Sequence, residues 1–294
     1  MVLLALLQTI GATKYVYSQV HMGVNFTLTL YAPSETVAQS AAQKAFFRIQ
    51  KLDEIMSDYQ AKSELNSLNQ TAFHQDVVIS QDLFKVLNTA QDLSRRTDGL
   101  FDVTVRPLVQ IWRTARKSVV APSQASITEA KKLVDYRQIK LNSRHRTIRF
   151  LRDGITIDLG GIGKGYACQE AVKVLQREGV ESAMIEGGGD IYCSKAPPKA
   201  KGWVISIEGT TQQYTISNRA LSTSGSTVQF VEIGGKKYSH IVDPRTGFGV
   251  TSQRQVTVIG KDGAKVDALA TAFCIEPTLI GRFRDVKATV TERN

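Results

Sequence analysis

Residues 158–166 read D-L-G-G-I-G-K-G-Y, in which a short apolar segment runs into a glycine-rich turn and then into an amphipathic helix. Because glycine has no Cβ, such a turn lets backbone amides and a helix N-terminus approach an anion closely. A nucleotide pyrophosphate is an anion that suits this arrangement. The glycine spacing matches neither the dinucleotide-binding fingerprint G-x-G-x-x-G nor the phosphate-binding loop G-x-x-x-x-G-K-[ST]. Taken alone, the turn is compatible with a structural role or with ligand binding.

Hydrophobic periodicity on both sides of this turn predicts an α+β fold. Residues 24–31 alternate apolar and polar side chains, which indicates a half-buried strand. Apolar residues at helical spacing predict helices over residues 34–57, 81–96, 126–134 and 164–178. Further strands are predicted over residues 147–150, 155–159, 183–185, 203–207 and 255–259. Many of these strands follow one another without an intervening helix, so we expect mixed, largely antiparallel sheets with packed helices.

Composition indicates a folded chain with a large core. The chain has 294 residues, of which 42% are hydrophobic and 22% charged, which suits one large domain or two closely joined ones. We expect a single domain over residues 21–294. Residues 1–20 contain a short apolar run that resembles a leader or anchor remnant but lacks a positively charged beginning. The three cysteines form no C-x-x-C pair and are expected to be buried as small apolar residues.

The net charge of +10 favours anionic partners such as nucleotides or acidic membrane surfaces. Nucleic acid is a third anionic partner to consider. However, the basic residues are spread along the chain without the interleaved aromatics of a single-strand-binding surface. We therefore expect no nucleic-acid partner.

Five further motifs accompany the glycine-rich turn. They are Met22-Gly23, M-S-D-Y-Q-A-K-S-E-L-N-S-L-N at 56–69, T-D-G-L-F-D-V-T-V-R-P-L-V-Q-I-W at 97–112, the stretch 222–247 with S-T-S-G and Y-S-H-I-V-D-P-R-T-G, and V-D-A-L-A-T-A at 266–272. In this order and spacing the six motifs resemble the ApbE-like FAD:protein FMN transferases, over residues 22 to about 275. The resemblance implies an ApbE-like, T-fold-like architecture. It also implies Mg²⁺-dependent transfer of FMN from FAD to a threonine or serine hydroxyl of an acceptor protein, with release of AMP.

The last motif suggests a cation site. Asp267 and Thr271 stand four residues apart in a helix-prone run, so their oxygens share one face and suit a hard cation such as Mg²⁺. The resemblance adds the backbone carbonyl of Gly161 as a third protein ligand. The alternative is that Asp267 caps its own helical turn while Thr271 bonds back to the backbone.

The resemblance also assigns contacts to the flavin nucleotide. Asp158 and Lys164 match nucleotide-contacting positions, and Lys164 is suited to neutralise a pyrophosphate. Tyr59 and Met22 match positions that flank the bound cofactor, and an aromatic ring beside a thioether suits a planar ring. For Met22 the alternative is core packing.

Four more positions match nucleotide contacts in the family. They are Leu100, Phe101, Asp102 and, in the later motif, Ile241. For Phe101 the alternative is core packing, and for Asp102 it is a turn that carries a helix cap.

His240 is a candidate general base, because an unperturbed imidazole titrates near pH 6.5, close to working pH. A structural histidine is the alternative, and a metal-linked carboxylate such as Asp267 is the other candidate to accept the proton. Asp243 either orients the imidazole ring or fixes the D-P-R-T-G turn. Arg245 is suited either to phosphate or to a surface role.

The chain departs from the family pattern at several positions. Val24 stands where threonine is usual, Ala270 where some members carry a second aspartate, and Ser226 and Thr227 follow the T-S-G motif. The tail after Ile275 looks short and polar beside the extra helix and strand expected there.

The acceptor pattern D-G-x-[ST]-[SG]-A-T is absent, which predicts a separate acceptor protein. Two alternatives to the transferase remain open. One is an FAD-binding protein or FAD pyrophosphatase that yields FMN and AMP, and the other is a basic adaptor with a vestigial pocket. Family habit places such enzymes at the bacterial periplasm or cell envelope, with membrane association as a further expectation.

Overall fold

The computed structural model of the protein describes residues 11–225 and 229–292. In this part of the chain the strands are β1 (Thr13–His21), β2 (Val24–Ala32), β3 (Val77–Val78), β4 (Ile139–Asn142), β5 (Thr147–Phe150), β6 (Ala183–Gly187), β7 (Asp190–Cys193), β8 (Trp203–Ser206), β9 (Gln213–Ile216), β10 (Arg219–Gly225), β11 (Phe230–Ile233), β12 (Lys236–Ser239), β13 (Arg254–Gly260) and β14 (Lys287–Glu292). The α-helices are α1 (Glu35–Met56), α2 (Glu64–Thr71), α3 (Gln81–Arg96), α4 (Arg106–Ser118), α5 (Gln124–Lys131), α6 (Gly163–Arg177) and α7 (Gly263–Ile275).

A seven-stranded sheet organises the molecule, in the order β1-β2-β6-β7-β10-β13-β14. Every neighbouring pair in this sheet is antiparallel. Smaller sheets are formed by β3-β5-β4, by β8-β9 and by β11-β12. Helices α1, α6 and α7 contact the large sheet, α6 contacts both α1 and α7, and the apolar residues of the three helices form the main core with the sheet. The predicted α+β class with largely antiparallel sheets is confirmed.

Most of the predicted elements are present. Helix α3 and strand β5 have the predicted bounds, and α1, α5, α6, β2, β6, β8 and β13 differ from the predictions by a few residues at their ends. The side chain of Ser34 caps α1 by accepting a hydrogen bond from the amide of Val37. This is the start signal that predicted the helix.

The predicted strand over residues 155–159 is wrong. Its segment is buried and belongs to no sheet, because its backbone groups have partners elsewhere. The amide of Ile157 donates to Asn69 Oδ1 at 2.8 Å, and the amide of Asp158 donates to the carbonyl of Val103 at 2.8 Å. Alternating apolar residues here therefore mark a buried extended segment that leads into the glycine-rich turn.

Both ends of the large sheet extend beyond the prediction. The range 1–20 assigned to a leader falls partly outside the described residues, which begin at 11, and β1 pairs along its whole length with β2. At the other end, the tail after Ile275 looked too short and polar for the expected strand, but β14 pairs with β13 and forms the edge of the sheet. Within the described ranges, no helix combines the length and apolar character needed to cross a bilayer.

Helices α6 and α7 cross with their backbones in contact. A Cβ on Gly165 would overlap the carbonyl oxygen of Gly263 and lie 2.7 Å from Asp267 Cβ, and a Cβ on Gly263 would overlap the carbonyl oxygen of Gly165. Only glycine at both positions permits the two helix backbones to approach this closely. The crossing brings the start of α6 against the face of α7 that carries Asp267.

We predict that Gly165→Ala lowers the free energy of unfolding by at least about 2 kcal/mol, because backbone atoms cannot yield to the added methyl group. Urea unfolding followed by circular dichroism measures this. Gly281→Ala is the control, since a Cβ there meets no atom within 4 Å. Similar unfolding midpoints for both variants would contradict the described crossing.

Candidate active site

The glycine-rich turn has its own internal support. Asp158 Oδ1 accepts a hydrogen bond from the amide of Gly160 at 2.7 Å. Helix α6 follows directly, and its N-cap residue Ile162 supplies no side-chain hydrogen bond. The cap position therefore leaves first-turn amides of α6 available to a partner from elsewhere in the chain or to an anion.

Asp267 reaches this turn from α7. Its Oδ2 accepts a hydrogen bond from the amide of Gly165 at 3.0 Å, whereas the cap of α7 is Asp262. Thr271 also faces the turn, because a Cβ on Gly161 would lie 3.3 Å from Thr271 Oγ1. Asp267 thus does not cap its own helical turn, and the three residues predicted to bind Mg²⁺ meet in one place.

A buried ion pair lies beside them. Lys164 Nζ is 3.1 Å from Asp190 Oδ2 and donates to the carbonyl of Gly160 at 3.2 Å. Burial opposes the charge of Lys164, but the carboxylates of Asp190 and Asp267 outweigh it and raise the lysine pKa. Burial, followed by the nearby Asp190 carboxylate, raises the pKa of Asp267 to about 7. The two carboxylates repel each other, and one lysine only partly compensates.

Asp190 is 2% exposed, and its Oδ1 has no hydrogen-bond partner in the part of the chain that the structure describes. A buried carboxylate oxygen without a donor is costly, and a cation or water is a usual remedy. The described residues contain no cluster of three or more His, Cys, Asp or Glu side chains placed to hold a metal. The predicted ligand set of one carboxylate, one hydroxyl and one carbonyl instead suits Mg²⁺, which keeps several waters and binds through few carboxylates. The residues present therefore fit the ion.

A second ion-pair cluster contacts Asp158 at the start of the turn. Arg113 on α4 contacts Asp58 through Nη1 and Asp158 Oδ2 through Nη2, the latter at 3.1 Å. Its guanidinium carbon lies 4.8 Å from the ring centroid of Tyr59, which is 77% exposed. Burial, followed by the charge of Asp58, raises the pKa of Asp158, and Arg113 opposes that rise.

His240 is held by the backbone of Gln229, whose carbonyl contacts Nδ1 at 3.1 Å and accepts from the His240 amide at 2.8 Å. Burial lowers the pKa of His240 against the opposing effect of that carbonyl, and the positive charges of Arg116 and Lys164 lower it further. The imidazole is therefore neutral near pH 7 and able to accept a proton.

Asp243 fixes its turn, since it accepts from the amide and guanidinium of Arg245. Arg245 pairs in this way with Asp243 and, at 3.7 Å, with Glu276. The alternatives that Asp243 orients the imidazole ring and that Arg245 is available to phosphate are therefore not supported.

The remaining predicted residues are of two kinds. Leu100, Phe101 and Ile241 belong to the main core, although Phe101 also borders Gly161, at 3.6 Å from a Cβ built there. Asp102 accepts from the amide and hydroxyl of Thr104 and from the amide of Tyr136, so its carboxylate serves the fold.

Met22 occupies the turn between β1 and β2 with a positive φ of 49°, and its amide donates to Asp53 Oδ2 at 3.2 Å. Its side chain packs against the main core. The structure therefore supports the core-packing alternative for Met22.

Sequence reasoning missed Asp190, Arg113 and Arg116. The signal for Asp190 was its place directly after G-G-G at 187–189, and the signal for the two arginines was their spacing of three residues on one helix. A surface groove of about 580 Å³ borders α4 and α5 near Gln110 and Glu129, and it is lined by none of the predicted site residues.

Solved structures with this fold define its class. The chain superimposes on the flavin transferase ApbE from Vibrio cholerae with a TM-score of 0.85 and 23% identity, covering 96% of this chain and 94% of that one. The ApbE protein from Thermotoga maritima gives a TM-score of 0.86 and 22% identity, covering 96% of this chain and 97% of that one. At these identities the likeness establishes the fold, which is that of the ApbE-type α+β proteins.

Sequence comparison gives the family. A curated FAD:protein FMN transferase from Klebsiella pneumoniae is 27% identical over 265 residues, covering 87% of this chain and 81% of the relative. One from Escherichia coli K12 is 26% identical over 237 residues, covering 76% of this chain and 67% of the relative. The model of the ApbE family matches residues 22–282, and the chain belongs to that family.

We predict that the ring protons of His240 titrate below pH 6.5 in an NMR titration, because the folded state disfavours the imidazolium. Folding stability from this group is therefore present above pH 6.5 and decreases as the pH falls towards the folded-state pKa. Arg116→Gln should raise the pKa of His240, since it removes one positive neighbour. Arg116→Lys is the matched control and should keep that pKa low; an equal rise in both variants would exclude the charge effect.

Proposed function

We propose that this protein is a Mg²⁺-dependent FAD:protein FMN transferase that attaches FMN to a threonine or serine hydroxyl of an acceptor protein and releases AMP. Membership of the ApbE family and the name shared by its curated relatives support a transferase. The observation that carries the proposal is the contact between Asp267 and the amide of Gly165. It joins the candidate cation ligands of α7 to the glycine-rich turn.

In the proposed reaction, the acceptor hydroxyl oxygen attacks the phosphorus of the FMN half of FAD. A new P–O bond forms, the P–O bond to the AMP half breaks, and AMP leaves with the electron pair. The hydroxyl proton passes to a base. Positioning and charge neutralisation supply most of the catalysis in phosphoryl transfer of this kind.

The chain's own residues have separate tasks in this scheme. The glycine-rich turn and the N-terminus of α6 receive the phosphates, with Lys164 alongside as a positive charge fixed by Asp190. Asp267, Thr271 and the Gly161 carbonyl would hold Mg²⁺, which supplies Lewis-acid polarisation of phosphoryl oxygens when bound. The imidazole of His240 is the proposed proton acceptor, because Nδ1–H donating to the Gln229 carbonyl leaves the lone pair of Nε2 available, and the lowered pKa keeps the ring neutral near pH 7.

Mass spectrometry of an acceptor tests the proposal directly. Purified protein is incubated with FAD, Mg²⁺ and a protein that bears D-G-x-[ST]-[SG]-A-T, and the acceptor is then weighed. One added FMN per acceptor is the expected result. Free FMN and AMP with an unmodified acceptor would favour an FAD pyrophosphatase, and unbound, intact FAD would favour an adaptor with a vestigial pocket.

We predict that Asp267→Asn lowers Mg²⁺-dependent transfer by at least about a hundredfold, because the amide retains an acceptor for Gly165 but loses the charge that binds the ion. The stabilisation of the fold by Mg²⁺ in thermal melts should disappear as well. Asp262→Asn is the matched control, since asparagine caps a helix as well as aspartate does. If Asp267→Asn kept its response to Mg²⁺, the metal assignment would be wrong.

A further inference from the structure

Arg113 joins three separate parts of the chain. It lies on α4, contacts Asp58 and Tyr59 in the segment after α1, and contacts Asp158 at the start of the glycine-rich turn. We call these four residues the Arg113 cluster. The side chain of Arg113 is 25% exposed, and those of Asp58 and Asp158 are 11% and 7% exposed. Largely desolvated pairs of this kind are strongly affected by the loss of one partner.

The guanidinium links the two carboxylates to the turn. Asp58 and Asp158 carry like charges close enough for Asp58 to help raise the pKa of Asp158. Arg113 binds one oxygen of each, while the other oxygen of Asp158 holds the amide of Gly160. Arg113 therefore fixes Asp158, and Asp158 fixes the first residues of the turn.

The same guanidinium packs against the ring of Tyr59. The 4.8 Å distance between Arg113 Cζ and the ring centroid is within the range of a cation–π contact. Tyr59 is otherwise 77% exposed, so the stacked guanidinium restrains a ring that remains accessible to a ligand. An exposed tyrosine that is held in one orientation loses less conformational freedom when a second planar group stacks on it.

We propose that Arg113 is a positioning residue for the flavin nucleotide. Its planar guanidinium holds Tyr59 as a platform for a planar ring of FAD, and at the same time holds Asp158 against the glycine-rich turn. This inference rests on the proposed function, because it takes FAD as the ligand. It adds a residue outside the motifs that carried the family resemblance, and it assigns to Tyr59 a rigid partner.

Arginine and lysine differ in the property that this role needs. Lysine keeps the positive charge between Asp58 and Asp158 but has no flat face to stack on Tyr59 and no fork to bind both carboxylates. Arg113→Lys thus separates the planar contact from the charge. Arg113→Met removes both and leaves the two carboxylates facing each other.

A double-mutant cycle with Tyr59→Leu tests the proposal, with FAD binding followed by fluorescence in the presence of Mg²⁺. We expect Arg113→Lys to raise the Kd for FAD by about tenfold in the wild-type background, which is the scale of a lost cation–π restraint. In the Tyr59→Leu background the same substitution should raise it much less, because the platform is already gone. The kcat at saturating FAD should change less than the KM for FAD.

Arg95→Met is the control, because Arg95 is another helical arginine near an aspartate, at 3.8 Å from Asp92, but on the surface of α3. It should leave the Kd unchanged. An unchanged Kd in Arg113→Lys, or an equal rise in both Tyr59 backgrounds, would overturn the inference. Failure of the wild-type protein to bind FAD would instead reject the proposed function, so the two failures are distinguishable.

Discussion

The backbone contact between Gly165 and Gly263 is the constraint on which the site depends. Helix α6 carries the glycine-rich turn at its start, and α7 carries Asp267 and Thr271, yet residues 178–262 separate the two helices in sequence. Their axes approach closely only because neither crossing residue has a side chain. At this separation the Asp267 carboxylate reaches the Gly165 amide. A wider crossing would leave the buried Asp267 carboxylate without its donor, which would destabilise the folded state.

The charged side chains around the turn form two groups. Closest to α7, Asp190 and Asp267 share one lysine, so the buried group of three carries a deficit of positive charge. On α4, Arg113 pairs with Asp58 and Asp158 and opposes the rise in the pKa of Asp158, and the charge of Arg116 lowers the pKa of His240. The first group has one positive charge for two carboxylates, and so does Arg113 with Asp58 and Asp158. Positive charge is therefore in short supply in both groups, and burial makes that shortage costly.

The sequence predicted the parts that depend on local pattern. Helix α3 was recognised with its bounds because its apolar residues repeat at helical spacing after a serine cap. The strand predicted over residues 155–159 is wrong because alternation indicates only that one side of a segment is buried. Here the amide of Ile157 bonds to the Asn69 side chain on α2 instead of to a neighbouring strand. Strand β1 was missed because its edge position leaves side chains such as Val16 and Val20 exposed, without the alternation of a half-buried strand. Asp190 and Arg113 acquire their roles from ion pairs across the fold, which no local spacing encodes.

The buried carboxylates can be sorted by how much of their acceptor capacity the fold already uses. Asp102 receives three donors from Thr104 and Tyr136, so it is fully occupied in fixing a turn even though burial raises its pKa to about 6. Asp158 divides its oxygens between Gly160 and Arg113. Asp190 pairs one oxygen with Lys164 and has no donor among the described residues for the other. Since an unsatisfied buried oxygen is costly, the unused acceptor capacity among these carboxylates lies at Asp190, whereas the fold already uses that of Asp102.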